Sequence, residues 1–299
     1  MAQEATLLYG VGATKSGTTW LHDYLVSHPQ AVTPPRKELH YFDSLSGEVA
    51  FSLEGMQATI GSEIQSLQDR LSKAPADKKR PILRRIGRLE DLRAIYVQGG
   101  SEGLETYRRY FASEIARTGA KVATDITPSY GMLSDTWFAR LVTAMPVTRF
   151  VYVMRDPVDR LWSNIRMNSN KKAKEGESVA ELCMNTVDRL LVKGRHGTLE
   201  RSNYAATLDK LERHVPESNR LVMFFENMFS QNMMDAFCKF LGISEHPAKV
   251  GRPSYVGIAL RLDDARRRGL AELLAPQYAA VEARFGALPD RWQQNMTKV

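Results

Sequence analysis

Three short apolar runs, roughly Leu7–Val11, Phe150–Met154 and Leu221–Phe225, stand out from a chain that otherwise mixes polar and apolar positions. None alternates as a half-exposed strand does, so each reads as a strand buried on both faces of a parallel sheet. A weaker fourth run, Lys121–Thr124, ends at Asp125 and meets the turn residues Thr127-Pro128-Ser129. Each strong run leads into helical spacing. After the first come Leu21, Tyr24, Leu25 and His28, and Pro29 stops the helix. After the second, Asp156 is placed to cap and Pro157 to open a helix. Its Val158, Leu161, Trp162 and Ile165 recur at i, i+3, i+4 and i+7. After the third, Met234, Phe237, Cys238 and Leu241 repeat that spacing, and Gly242 sits where a C′ glycine belongs. Strand alternating with helix predicts an α/β fold, a central parallel sheet flanked by helices with ligands at the carboxyl ends of the strands.

The stretch from about Ser44 to Ala120 breaks the alternation. It is rich in helix formers and carries a basic run of Lys78, Lys79, Arg80, Arg84, Arg85 and Arg88. Two or three helices are expected there, the last with Leu104, Tyr107, Phe111 and Ile115 on one face. Inserted between the first strand–helix unit and the next strand, the segment would form a helical lid over the carboxyl edge. A solvated helical excursion is the competing reading. A final helical region, about Leu262 to Phe285, is expected to be interrupted at Pro276. No internal repeat is apparent. Residues 1–299 read as a single domain with a helical insertion at about 44–120.

Composition narrows the class. An apolar fraction of 43% and a charged fraction of 25% exclude a disordered or fibrous chain. A net charge of +7 favours anionic ligands without choosing among nucleic acid, nucleotide and acidic lipid. Two cysteines, Cys183 and Cys238, cannot build a disulfide framework and match no metal motif. No apolar run approaches the roughly 18 residues of a transmembrane segment. The first ten residues carry Glu4 and no Lys or Arg, which argues against a signal peptide. A soluble, cytoplasmic protein is expected.

The candidate chemistry begins at Gly10-Val11-Gly12-Ala13-Thr14-Lys15-Ser16-Gly17-Thr18-Thr19, between the first strand and its helix. Gly12 and Gly17 permit a tight turn and let backbone N–H groups face a ligand. The helix N-terminus adds unpaired donors and a favourable dipole, Ser16, Thr18 and Thr19 add hydroxyls, and Lys15 adds a full charge. This is the composition of a phosphate or sulfate cradle. Gly12 and Gly17 have the separation of a Walker A loop, but the lysine lies inside the loop and no Walker B carboxylate run is apparent. The strand Phe150–Met154 ends instead in Arg155, a cation where a metal-binding acid would stand. That speaks against Mg-dependent phosphoryl transfer. It suits transfer of a less charged group, with a lysine stabilising the leaving phosphate oxygen directly.

At these residues the chain resembles the sulfotransferases that use 3′-phosphoadenosine 5′-phosphosulfate (PAPS). Lys15-Ser16-Gly17-Thr18-Thr19-Trp20-Leu21 is similar to that family's 5′-phosphosulfate loop. Arg155-Asp156-Pro157, continuing to Ser163, is similar to its 3′-phosphate motif. Thr127-Pro128-Ser129-Tyr130, Arg201-Ser202-Asn203-Tyr204 and Phe240-Leu241-Gly242-Ile243 also occupy familiar places. The resemblance implies a P-loop NTPase-like sulfotransferase architecture. It also implies PAPS as co-substrate, no metal, no nucleic acid partner, and a sugar, lipid or other hydroxyl-bearing acceptor. Lys15, Ser16, Gly17, Thr18, Thr19, Arg155, Ser163 and Tyr204 become the donor-binding candidates, Tyr204 being equally readable as a core tyrosine.

Lys37-Glu38-Leu39-His40-Tyr41-Phe42-Asp43 is similar to the segment of heparan-sulfate-type enzymes whose glutamate deprotonates the acceptor. The match makes Glu38 the base; a surface carboxylate paired with Lys37 is the alternative. His40 stands as core residue, as helper to Glu38 or as rival base. Two features depart from the pattern. The position that holds a lysine before the Thr-Pro turn in heparan-type enzymes is Ile126 here, so Lys15 is expected to act alone. The late element that completes the 3′-phosphate site is not obvious, and Arg252, Arg261 and Arg266 are its candidates. Two other functions stay open at this point, a Mg-dependent P-loop kinase with a displaced lysine and a non-catalytic protein binding anionic polymers or nucleotides. Oligomeric state is not readable.

Overall fold

The computed structural model describes residues 6–97, 99–194, 197–250 and 258–296. All four apolar runs form strands. With one short addition they make a five-stranded parallel sheet: β1 (Thr6–Gly10), β2 (Ala31–Val32), β3 (Val122–Ile126), β4 (Thr148–Met154) and β5 (Arg220–Phe224), in the order β2-β3-β1-β4-β5. β1 and β3 are buried at every position and pair in register from Thr6↔Val122 to Gly10↔Ile126. β2 is two residues long, too short to leave a periodicity in the sequence. Ile126 belongs to the strand and not to the turn after it. Its side chain covers Gly10, where an added Cβ would lie 2.7 Å from Ile126 Cδ1.

The chain divides into two compact units. The first comprises Met1–Val11, His22–Phe150 and Cys238–Ser244. The helix α1 (Thr18–Ser27) ends within it, just before His28 and Pro29, as the sequence predicts. The expected insertion is helical: α2 (Tyr41–Ser46) is followed by α3 (Leu53–Lys73), α4 (Ala76–Ala94) and α5 (Gly100–Thr118). Ser52 caps α3 through its side chain, and Gly119 at φ 69 ends α5. α5 packs on β2 and β3. Tyr107 and Phe111 are buried on it as expected, while Leu104 and Ile115 are only half-buried. The face is turned by Glu114, a buried carboxylate held by Arg88 and Arg117. Arg85 of the basic run pairs with Glu63, whereas Lys78, Lys79, Arg80 and Arg84 lie exposed on α4. α6 (Asp135–Val142), capped by Ser134, completes the helices between β3 and β4.

The second unit comprises Gly12–Leu21, Val151–Phe237 and Glu245–Val299. Its helices are α7 (Pro157–Lys172), α8 (Val179–Lys193), α9 (Gly197–Glu200), α10 (Tyr204–His214), most of α11 (Gln231–Leu241), α12 (Asp264–Phe285) and α13 (Asp290–Met296). Asp156 caps α7 by accepting from the Asp159 amide, with Pro157 at the first position. Gly242 follows α11 at φ 69. One expectation is corrected. Pro276 does not interrupt the last helical region, because α12 runs through it. A proline inside a helix removes one backbone donor and crowds the preceding turn. Here Leu270, Ala271 and Leu274 before it and Tyr278 and Val281 after it are all buried, and that packing holds both halves to one axis.

Candidate active site

From Gly12 onward the glycine-rich loop lies in the second unit and is built from its own hydrogen bonds and those of the β4 end. Ala13 N donates to Val153 O, Val153 N donates to Gly12 O, and Ser16 N donates back to Ala13 O. The first helical bond of α1 runs from Leu21 N to Gly17 O. The amides of Thr18 and Thr19 precede that bond, have no acceptor within the helix and point from its positive end. Ser16 is fully buried, yet its Oγ has no partner. An unsatisfied buried hydroxyl costs about 1–3 kcal/mol and marks a place where a ligand oxygen fits. Gly17 stands at φ 83, and a Cβ there would come 2.9 Å from Phe225 Cδ2 and 3.0 Å from Met228 Sδ. Lys15 is itself left-handed, at φ 73, with Nζ 3.6 Å from Met167 Sδ. Thr18 is buried and Thr19 exposed.

Arg155 leaves the end of β4 and stacks its guanidinium on the Phe225 ring, 4.6 Å from the centroid. Its Nη1 reaches the Lys15 carbonyl at 3.4 Å. The two acids nearest in sequence are engaged elsewhere. Asp156 takes Tyr278 OH at 2.7 Å and Asn295 Nδ2 at 2.8 Å, and Asp159 is held by Arg267 and Arg291. Among the described residues no carboxylate pairs with Arg155, and its charge is left for an anion. Arg201 adds a second guanidinium to the loop, with Nη1 on Thr14 Oγ1 at 3.0 Å. Ser163 is half-buried on α7, one turn before the Met167 that meets Lys15. Tyr204 is fully buried, and its hydroxyl donates to the Arg155 carbonyl at 2.7 Å. It holds the backbone of the arginine.

The second cluster lies wholly in the first unit, around the segment that leads into α2. Glu38 is at φ 63 and His40 at φ 52. Lys37 Nζ donates to Glu38 Oε1 at 2.6 Å, and His40 Nε2 stands 3.6 Å from Glu38 Oε2. On the other side of the ring, His40 Nδ1 meets Asp43 Oδ2 at 2.6 Å, and Ser129 Oγ donates to that same oxygen. Asp43 is fully buried, and its Oδ1 has no partner. The imidazole stacks on Phe51 with ring centroids 3.7 Å apart. Burial alone would raise the Glu38 carboxyl, but His40 and Lys37 outweigh it and bring it down to about 2. Burial alone would lower His40, but Asp43 and Glu38 raise it above its ordinary value. The resulting array sets the imidazole between the side chains of Glu38 and Asp43, with the outer glutamate half exposed. His22, also in this unit, is lowered to about 4 by burial and by Lys37, so it adds no charge near neutrality.

The model of the family described as Sulfotransferase family matches residues 8–247. The chain belongs to the sulfotransferase family. No curated protein matches it significantly. Among solved structures, this sulfotransferase is similar to a sulfotransferase from Alicyclobacillus acidocaldarius at 20% identity, covering 98% of this chain and 100% of that one with a TM-score of 0.59. It is also similar to the sulfotransferase domain of the Synechococcus PCC 7002 olefin synthase. That match has 14% identity, covers 96% of each chain and has a TM-score of 0.52. At these identities the likeness establishes the fold. No helix among the described residues of the sulfotransferase is long and apolar enough to cross a membrane. Of the three late arginines, Arg252 lies outside the described residues, Arg261 is exposed, and Arg266 is tied to Asp188 and Asp263. Trp20 and Trp162 are core residues whose indoles donate to the carbonyls of Lys249 and Leu260.

Sequence reading missed Phe225, Asp43, Ser129 and Asp125. It also missed Arg160, fully buried with its guanidinium on Ser202 and the Thr198 carbonyl. One signal was present: an acid, a histidine and a second acid at 38, 40 and 43 put three proton-handling groups within one turn of chain.

Proposed function

We propose that this sulfotransferase moves the sulfuryl group of PAPS to an acceptor hydroxyl, with Glu38 as the base. Each unit supplies one half of the chemistry. In the second, the loop amides, the Ser16 and Thr18 hydroxyls and Lys15 hold the 5′-phosphosulfate, while Arg155 and Ser163 hold the 3′-phosphate and Tyr204 fixes the arginine's backbone. In the first, Glu38 takes the acceptor's proton as its oxygen attacks sulfur. The bond from sulfur to the bridging phosphate oxygen breaks, Lys15 offsets the charge arriving there, and 3′,5′-bisphosphoadenosine leaves. His40, anchored by Asp43, orients Glu38 and, with Lys37, holds its carboxyl low. No step calls for a metal. The cytoplasm is the proposed place of action, in keeping with the buried thiols of Cys183 and Cys238.

The observation that carries this reading is backbone strain. Among the described residues, the non-glycine positions with left-handed φ are Lys15, Glu38 and His40. Such a conformation costs on the order of 1–3 kcal/mol at each and persists at sites where geometry serves chemistry. Incubation with ³⁵S-labelled PAPS in EDTA, against a panel of a phenol, a hexose and a fatty alcohol, tests it. Labelled product is expected from wild type, and at least ~10²-fold less per unit time from Glu38→Gln. Turnover of ATP that requires Mg²⁺, with no label transferred, would point to a kinase instead.

A further inference from the structure

Asp125 is a buried carboxylate that the chemistry above leaves without a task. It is fully enclosed near the end of β3 and collects three hydroxyls: Thr127 Oγ1 donates to Oδ1 at 2.6 Å, and Tyr107 and Tyr130 each donate to Oδ2 at 2.9 Å. An ionised carboxylate only accepts, so each hydroxyl commits its single proton to Asp125 and offers lone pairs to its other neighbour. For two of them that neighbour is an amide of the segment carrying Glu38 and His40. Leu39 N donates to Thr127 Oγ1 at 2.9 Å, and Tyr41 N donates to Tyr130 OH at 3.0 Å. Tyr96 OH donates to the Leu39 carbonyl at 2.6 Å from a third direction. The amides on both sides of His40 are therefore gripped by oxygens whose orientation one carboxylate decides.

We infer that Asp125 is a positioning residue, which fixes the direction of the Thr127 and Tyr130 hydroxyls and so imposes the left-handed backbone that aims Glu38 and His40. The inference rests on the reading of Glu38 as base. The reasoning is directional. If Asp125 gains a proton or becomes an amide, it turns donor on one side, and a hydroxyl that must accept from it can turn its own proton toward a backbone N–H. Two donors then face each other, and the segment is free to relax out of its strained conformation. Burial raises the Asp125 carboxyl to about 6, against the pull of the three hydroxyls and of His40. Around it stand Tyr9, Tyr96, Tyr107 and Tyr130, all raised by burial, together with His40 and, beyond Tyr130, Asp43. The tyrosines stay neutral, so near pH 6 the network changes through Asp125.

Two variant sets test this. In Asp125→Asn, the ¹H–¹⁵N resonances of Leu39 and Tyr41 move. Release of 3′,5′-bisphosphoadenosine from PAPS, with water or the best panel alcohol as acceptor, falls at least ~10-fold, while affinity for the bisphosphate stays within about twofold. The wild-type rate loss below about pH 6 is absent from the variant's profile. Thr127→Val removes one relaying hydroxyl without changing charge, and Thr127→Ser keeps it. His40 titrated by NMR falls toward its ordinary value of about 6.5 in the valine variant and stays raised in the serine variant. Unmoved amides in Asp125→Asn, or a His40 titration identical in Thr127→Val and Thr127→Ser, overturns the inference. If Asp125→Asn fails to fold, the Thr127 pair decides. The NMR readings need no donor, so an enzyme that turns out not to use PAPS fails the functional proposal while this test still reads.

Discussion

Arg155 rests its charge on the face of Phe225 and on the carbonyl of Lys15, with Asp156 and Asp159 both occupied by other donors. A guanidinium held flat in this way can fork onto a phosphate, which an ammonium cannot do. Arg155→Ala is expected to weaken calorimetric binding of 3′,5′-bisphosphoadenosine at least ~10-fold, and Arg155→Lys to recover little of it. Equal affinity in all three proteins would remove Arg155 from the donor site. The proposed base has its own signature. Glu38, brought down to about 2, is ionised at every pH where the protein is assayed, so an acid limb near pH 6 belongs to another group. Lys15, Arg155 and Glu38 could be proposed from the sequence because each sits in a short contiguous pattern. Asp43 and Ser129 were not, because the contact that gives them meaning joins positions 86 residues apart.

Among the elements, the turn between β1 and α1 is constrained twice over at Gly17. Gly17 combines positive φ with the ring of Phe225 and the sulfur of Met228 where a side chain would begin. Gly119, which ends α5 at φ 69, has nothing within 4 Å of its Cβ position. The two glycines separate a conformational requirement from a steric one. Gly119→Ala is expected to cost ~1 kcal/mol of stability and leave bisphosphate affinity unchanged. Gly17→Ala displaces Phe225, and with it the stacked Arg155, so affinity falls at least ~10-fold. A Gly17→Ala protein that binds like wild type would mean that the loop does not set the donor site. Capping and periodicity made α1, α7 and α11 readable from sequence. They failed at β2, which is too short for a period, and at Pro276, where a local rule lost to packing on both sides of it.

For the molecule as a whole, the parallel sheet was legible because its strands are continuous apolar runs, which only burial on both faces explains. How polar groups inside it are satisfied was not, since that depends on elements far apart in sequence. Asp156 shows the consequence. It is fully buried between the β4 end and α7, and Tyr278 of α12 and Asn295 of α13 close over it. Burial, with Asp159 adding to it, raises its carboxyl to about 7 against the pull of the Asp159 amide, Tyr278 and Asn295. An unfolded aspartate titrates near 3.9. Between these values the folded protein holds a proton that the unfolded chain has released, so the contribution of Asp156 to stability is full below about pH 4 and declines as pH rises to about 7. Asp156→Asn cannot titrate. Its amide oxygen can keep the Asp159 and Asn295 donors, while its NH₂ can donate to the Tyr278 hydroxyl, which turns to accept. The variant's stability minus that of wild type, from denaturant melts, is therefore expected to grow between pH 4 and 7, on the order of a kcal/mol per pH unit, and to level off above. Taking the difference cancels the repulsion of the +7 surface, which both proteins share apart from this one group. A difference that stays flat with pH would show that Asp156 is ionised in the fold throughout, and that the helices closing over it tolerate a buried charge.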